Sequence, residues 1–292
     1  MKIRVISDLH IDVNKACPFS LPKDDDVFTV LAGDTSGNPK KSILWIQKNV
    51  KRGVVVAGNH IVYNNQHKEI EKLRNQMADA FPMSADVTFL ECVDGGVFSK
   101  VVDGVLFLGS CLYTDMKWVC MDGYEMTNPM MNRRIAVNNM NDFQYGLTNR
   151  CESGSRLWMR PQDYEHWFSV TVSQFDALLT ENEKSCNMMP CFVVTHHAPS
   201  GRFIPLRYKY SNLNASYVSD LEWFIEKHKS IKCWACGHIH SKTEETFVRA
   251  DGSKVLLLNN PRGYERYGEN SGFDPNLIVD TGTWSVIRSE GK

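Results

Sequence analysis

Five short clusters in this chain carry residue types that bind metal ions or move protons: Asp8-Leu9-His10, Asp34, Asn59-His60, His196-His197 and His238-Ile239-His240. Each stands just past a short apolar run. A lone Asp or His in such a place is ordinarily a turn former or a satisfied polar group. Five together point elsewhere, because ligands of open α/β sheets bind beyond the carboxyl ends of the strands, where residues distant in sequence converge. Asp8, His10, Asp34, Asn59, His196, His238 and His240 supply two carboxylates, one carboxamide and four imidazoles, with no thiolate. That donor set suits borderline divalent ions such as Mn, Fe, Zn, Co or Ni rather than an all-oxygen calcium site. Seven donors exceed what one such ion needs, and fit two ions sharing a bridging carboxylate with positions left for water and substrate.

The elements that must position these residues are legible as apolar runs. Residues 3–6, 27–32, 54–57, 87–90, 105–108, 192–195, 231–235 and 255–258 read as buried strands. Asn38 and Pro39 have the form of a helix cap and first helical residue, with Ile43, Ile46 and Val50 on one face. Ile70, Leu73, Met77 and Phe81 give a second helical face, Val218, Leu221 and Ile225 a third, and Phe168, Phe175, Leu178 and Leu179 a fourth. Strands alternating with helices predict a layered α/β architecture, with antiparallel strands added after Thr243. We read residues 1–292 as one domain. Two stretches break the rhythm, 114–165 and the Pro-, Arg- and Tyr-bearing 198–216, and are the expected walls or lids of a site.

Composition narrows the setting. A formal charge of -1 from 33 basic and 34 acidic side chains gives no global positive field for nucleic acid or anionic membranes. The opening MKIRVISDLH is too short and too polar for a signal peptide, and no run approaches the ~18 apolar residues of a membrane span. A cytoplasmic protein is expected. Nine irregularly spaced cysteines fit reduced thiols. Cys233 and Cys236 invite a zinc reading beside His238 and His240, but on a strand they point to opposite faces.

The order Asp8-Leu-His10, Gly33-Asp34, Gly58-Asn59-His60, His196 after a strand, then Gly237-His-Ile-His240 resembles the calcineurin-like metallophosphoesterase superfamily. The resemblance implies a four-layer αββα β-sandwich flanked by helices, here with a loop-rich insertion, residues 114–165, capping the site. It implies that Asp8, His10 and His240 hold one ion and Asn59, His196 and His238 the other, with Asp34 bridging. His60 would protonate the leaving group. The chemistry is hydrolysis of a phosphodiester or phosphomonoester by a metal-bridging hydroxide, since two cations ~3.5 to 4 Å apart lower the pKa of a shared water. Manganese is the ion favoured for activity.

Departures from the superfamily pattern prune its branches. Protein phosphatases carry Gly after the first motif and Gly-Asp-x-x-Asp-Arg-Gly at the second, whereas Ile11 and Asp34-Thr-Ser-Gly37 stand here. Ile61 replaces the acidic residue that usually follows the third motif, and leaves the partner of His60 unassigned. Met140-Asn-Asp-Phe143, Thr195-His-His-Ala-Pro199 and Asn260-Pro-Arg-Gly-Tyr264 resemble bacterial and phage phosphoesterases. Arg262 reads either as a phosphate contact, by its guanidinium fork, or as a structural residue of its turn. His197 reads as a pocket wall or as packing. Asp12, His67, His166 and His228 lack motifs and are expected on the solvated surface.

Trp118, Tyr124, Phe143, Tyr145, Trp158, Tyr164 and Trp167, with Arg133, Arg134, Arg150, Arg156 and Arg160, make the insertion either a nucleotide-stacking cap or an aromatic mini-core with solvated arginines. A nucleotide or cyclic nucleotide is the leading substrate. The alternatives are a nuclease on single-stranded nucleic acid and a metal-binding scaffold without catalysis.

Overall fold

In chain order the elements are β1 (Lys2–Ile6), β2 (Val27–Leu31), α1 (Pro39–Asn49), β3 (Gly53–Val56), α2 (Ile70–Ala80), β4 (Val87–Leu90), β5 (Ser99–Val102), β6 (Val105–Ser110), β7 (Met121–Asp122), β8 (Glu125–Met126), α3 (Pro129–Asn139), α4 (Asp142–Tyr145), β9 (Leu147–Thr148), β10 (Leu157–Trp158), α5 (Pro161–Lys184), β11 (Cys191–Thr195), α6 (Glu222–Lys227), β12 (Ile231–Cys236), β13 (Thr243–Val248), β14 (Lys254–Asn259), β15 (Ile278–Asp280) and β16 (Ser285–Val286). They come from a computed structural model that describes residues 1–22, 26–63, 68–123, 125–148 and 157–287. His67, Tyr124, Arg150 and Arg156, weighed above, lie outside the described residues.

Two six-stranded sheets form, ordered β16-β15-β1-β2-β3-β4 and β13-β14-β12-β11-β6-β5. Strands β1 to β4 run parallel, as do β6, β11, β12 and β14. Antiparallel strands close the edges: β15 on β1, β16 on β15, β13 on β14 and β5 on β6. The alternation of side chains explains how the sheets stack. Ile3, Val5, Val30 and Val54 of one sheet meet Phe107, Phe192, Ala235 and Leu258 of the other in a shared core. Ile6, Leu31 and Val55, one residue out of phase, face instead the layer of Ile46, Leu73 and Met77 from α1 and α2. On the far side, Phe175 and Leu179 of α5 and Phe224 and Ile225 of α6 cover Val193, Trp234 and Leu257. Burying a Val, Leu, Ile or Phe side chain contributes about 1.5 to 3 kcal/mol, so these three interfaces dominate the fold's stability.

The layers are therefore helix, sheet, sheet, helix. Cys233 joins the core between the sheets and Cys236 the outer one, on opposite faces of β12. Asn38 caps α1, its side chain accepting the Lys41 N–H. Three expectations change. Val218 lies in an isolated bridge to Ala198, so the third helix is only Glu222–Lys227. Within 114–165 stands an 11-residue helix, α3, capped by Asn128 with Pro129 at its start, and α5 begins already at Pro161. His228 is buried, its ring nitrogens 2.8 Å from Asp176 and 3.2 Å from Glu183. Asp12 is half-buried and accepts the Gly37 N–H at 3.2 Å, while His166 is exposed as expected. No helix among the described residues is long and apolar enough to cross a membrane.

Candidate metal centre

The parallel strands of both sheets end at one rim. Asp8 and His10 follow β1, Asp34 follows β2, Asn59 and His60 follow β3, His196 follows β11, and His238 and His240 follow β12. Leaving a strand and turning its side chain inward within two to four residues strains the backbone. Asp8, His10, Asp34 and His238 all have positive φ, at 51°, 41°, 51° and 65°. Such conformations cost of order 1 to 3 kcal/mol each and persist where the surroundings over-determine them. Gly58 is needed for a second reason: a Cβ there would overlap Oδ1 of Asp34.

Three groups of ligand-type atoms converge, each drawn from within a 4.8 Å span: Asp8 with His10 and His240, His10 with Asp34 and His60, and Asp8 with Asp34 and His196. The ring nitrogens Nε2 of His10 and His240 lie 3.1 Å apart, and Oδ1 of Asp8 is 3.5 Å from the latter. Across the site, Nε2 of His196 is 2.9 Å from Oδ1 of Asn59 and 3.3 Å from Oδ2 of Asp34. His238 is beside this second group, its ring centroid 5.1 Å from that of His196 and stacked on Tyr217 at 4.4 Å. Among the described residues its buried Nε2 has no hydrogen-bond partner, nor does Nδ1 of His10. The His238 N–H donates to both oxygens of Asp8 at 3.1 Å, which ties the two halves together.

Hydrogen bonds behind the ring nitrogens fix which way lone pairs point. His196 Nδ1 meets the Ala32 carbonyl at 3.0 Å and His240 Nδ1 meets Oε2 of Glu269 at 2.7 Å. Both partners are acceptors, so each Nδ1 carries the proton and each Nε2 turns a lone pair into the site. There the lone pairs confront one another and the oxygens of Asp8, Asp34 and Asn59. Converging acceptors of this kind require cations, and the donor set suits divalent ions.

Without a metal, protons fill that need. Burial favours neutral His196, but Asp34 and Asp8 outweigh it and push its pKa up to about 9. Burial likewise opposes the charge on His240, yet Asp8 and Glu269 push it up to about 10. His10 goes the other way: burial lowers it to about 3. His238 is held well below the usual histidine range by burial and by His197 and His196. Burial would raise the Asp34 carboxyl, but His196 and His60 hold it well below the ordinary carboxylate range, and His240 and His196 lower Asp8.

His60 is partly exposed at the cavity mouth, with Nε2 3.7 Å from Oδ2 of Asp34 and 3.2 Å from the Tyr264 hydroxyl. Its ring stacks on Tyr63, centroids 3.9 Å apart. Ile61, where an acidic neighbour was missing, is buried in the core beneath α2. The cavity in front of these residues is about 390 Å³, within the range of small-ligand pockets. Its walls include Asn139, Met140 and Asn141 from the insertion, Tyr208, Asn214 and Tyr217 from the 198–216 loop with its neighbour, and Tyr264 and Glu269.

His197 and Arg262 are not part of this wall. His197 is buried behind His238, with Nδ1 3.3 Å from the Cys111 carbonyl and its ring against Tyr113 and Tyr164. Arg262 is buried beside Phe19, its fork given to Oε2 of Glu265 and the Cys17 carbonyl. Of the two readings of each residue, the geometry carries the packing one. Phe143 and Tyr164 of the insertion pack with Tyr113 and Trp167, just outside it, as a mini-core, and Arg133 pairs with Glu165. Tyr63, Asp142, Tyr217, Tyr264 and Glu269 were missed by sequence reasoning, although Asp142 and Tyr264 lie inside motifs already singled out.

Residues 1–242 match the family described as calcineurin-like phosphoesterase. The chain belongs to that family. It is a binuclear metallophosphoesterase, a hydrolase of phosphoester bonds. Among solved structures, phosphopantetheinyl hydrolase from Mycobacterium tuberculosis is similar with a TM-score of 0.62 at 17% identity, covering 92% of this chain and 93% of that one. A dimetal phosphatase from Danio rerio gives a TM-score of 0.49 at 12% identity, covering 95% and 90%. No curated protein matches the chain in sequence. The first of these likenesses supports the two-sheet fold; it is the family match that stands against a scaffold without catalysis.

Proposed function

We propose that Asp8, His10 and His240 hold one divalent ion and Asn59, His196 and His238 the other, with Asp34 between them and His60 as the proton donor. The observation that carries this reading is the place of Oδ2 of Asp34: 3.3 Å from Nε2 of His196 on one side, 3.9 Å from Nε2 of His10 on the other, and 3.7 Å from His60. When bound, two divalent ions, manganese being favoured, make water acidic enough to ionise near neutral pH and neutralise the phosphoryl oxygens. The chain supplies the rest. Asp34 spans both groups, Asn59 presents a neutral oxygen, and the backbone N–H of His238 fixes the Asp8 carboxylate. His60, held between the Tyr264 hydroxyl and the Tyr63 ring, gives its proton to the departing oxygen, a contribution of about 10²- to 10⁴-fold for a positioned acid.

The substrate is a small phosphomonoester or phosphodiester, with nucleotides and cyclic nucleotides first in line. Tyr208 and Tyr217 offer ring faces and Met140 a flexible apolar side chain, and Asn139 and Asn141 offer amides for a base's polar edge. Hydrolysis of an aryl phosphodiester with manganese tests the assignment. Asp34→Asn and Asn59→Ala are expected to abolish it; full activity in both variants overturns it. A panel of mono-, di- and cyclic nucleotides set against short oligonucleotides then separates the substrate classes.

A further inference from the structure

We infer that Asp142, contributed by the inserted segment, is a positioning residue for the metal centre: it decides which end of the Asn59 carboxamide faces the ions and braces His60 through Tyr63. The inference rests on the ligand set proposed above. Asn59 and Asp142 are 83 residues apart in sequence, and α4 sets the carboxylate directly behind the amide. Asn59 Nδ2 donates to Oδ1 of Asp142 at 2.8 Å, and Oδ1 of Asn59 is thereby turned to Nε2 of His196 at 2.9 Å.

A carboxamide has one donating and one accepting end of nearly equal shape, and only its surroundings choose between them. The oxygens of Asp142 accept from the Tyr63 and Tyr164 hydroxyls as well as from Asn59, so this side chain faces the amide as an acceptor. With Asp142 behind it, a flipped Asn59 would set oxygen against oxygen and aim an NH₂ group at the cation site. The native orientation satisfies both ends. Asp142 itself is fully buried and held from two further sides, by the Tyr63 hydroxyl on Oδ2 at 2.6 Å and by the Tyr164 hydroxyl on Oδ1. Tyr63 is also the ring on which His60 stacks. One carboxylate thus anchors a metal ligand and the proton donor together, where Ile61 offers no polar partner. It also makes the insertion a working part of the centre rather than a cover over it.

The test counts manganese bound to the full chain after gel filtration, measures affinity by titration calorimetry and follows the melting of each metal-free form. Wild type is expected to hold two ions. In Asp142→Asn the amide loses its directing partner, and one ion is expected to weaken by about 10- to 100-fold, the usual cost of removing a group behind a ligand. Asn59→Asp sets two carboxylates face to face and is expected to weaken the same ion despite its added charge. Asn59→Asp combined with Asp142→Asn restores a donor to an acceptor, and affinity is expected to recover. A merely structural Asp142 would lower the melting temperature without this reciprocal rescue. Unchanged affinity in Asp142→Asn, or a double variant no better than the singles, overturns the inference while the two-ion reading stands. Fewer than two ions in wild type overturns both. If Asp142→Asn does not fold, Asn59→Asp alone decides, and tighter binding there overturns the inference.

Discussion

The Glu269 carboxylate receives Nδ1 of His240 at 2.7 Å, and the opposite nitrogen of the same ring points at Nε2 of His10, 3.1 Å away. The carboxylate also accepts the Tyr264 N–H at 2.6 Å, so its own place is fixed. Glu269→Ala is expected to free the His240 ring and weaken the ion beside Asp8 by about 10- to 100-fold. Metal content after dialysis against a mild chelator measures this. Retention of two ions at wild-type affinity would remove Glu269 from the centre.

Metal binding is expected to release protons. His196 at about 9 and His240 at about 10 are charged at neutral pH in the metal-free protein, and ions bind neutral imidazole. Uptake of two ions at pH 7 should release about two protons, and affinity should climb toward alkaline pH. Calorimetry in buffers of different ionisation enthalpy counts them. Stability of the metal-free form moves the opposite way. A histidine whose folded pKa exceeds its unfolded value stabilises fully below about 6.5, and that contribution fades as pH rises through about 9 for His196 and about 10 for His240. A metal-free melting temperature that rises between pH 7 and 10 would contradict it.

His60→Ala is expected to slow turnover by about 10²- to 10⁴-fold and leave metal content unchanged. Tyr264→Phe, which removes only the hydroxyl 3.2 Å from Nε2 of His60, should cost less than removing His60 itself. Loss of an ion in His60→Ala would show that His60 is a ligand rather than the acid.

Arg262→Ala should damage the fold and spare the chemistry. Its guanidinium satisfies the Cys17 carbonyl and Glu265 beneath Phe19. Losing these part-buried hydrogen bonds costs about 0.5 to 1.5 kcal/mol each, readable in a denaturant titration. A normal midpoint combined with a raised KM would return Arg262 to the substrate.

The positions of Asp8, Asp34, Asn59, His196 and His238 were legible because each follows an apolar strand, and parallel strands deliver their ends to one rim. What was hidden depends on contacts that no local pattern encodes. Helix α3 buries only Asn132 and Ala136 deeply while exposing Met130 and Val137, so its apolar periodicity is weak. Its Asn128-Pro129 start repeats the Asn38-Pro39 signature of α1 and was the available signal. Glu269 reaches His240 across 29 residues, and Asp142 reaches Asn59 across 83. His228 is buried between carboxylates of α5, Asp176 and Glu183, in a segment with no motif at all.

His10 and His240 touch across 230 residues of chain, one delivered by each sheet. A nascent polypeptide that has not yet extended past β12 therefore carries five of the seven proposed ligands and lacks His238 and His240. Ions held by the proposed ligand set would join the two sheets to each other, and so would favour the packed state over any state in which the sheets are apart.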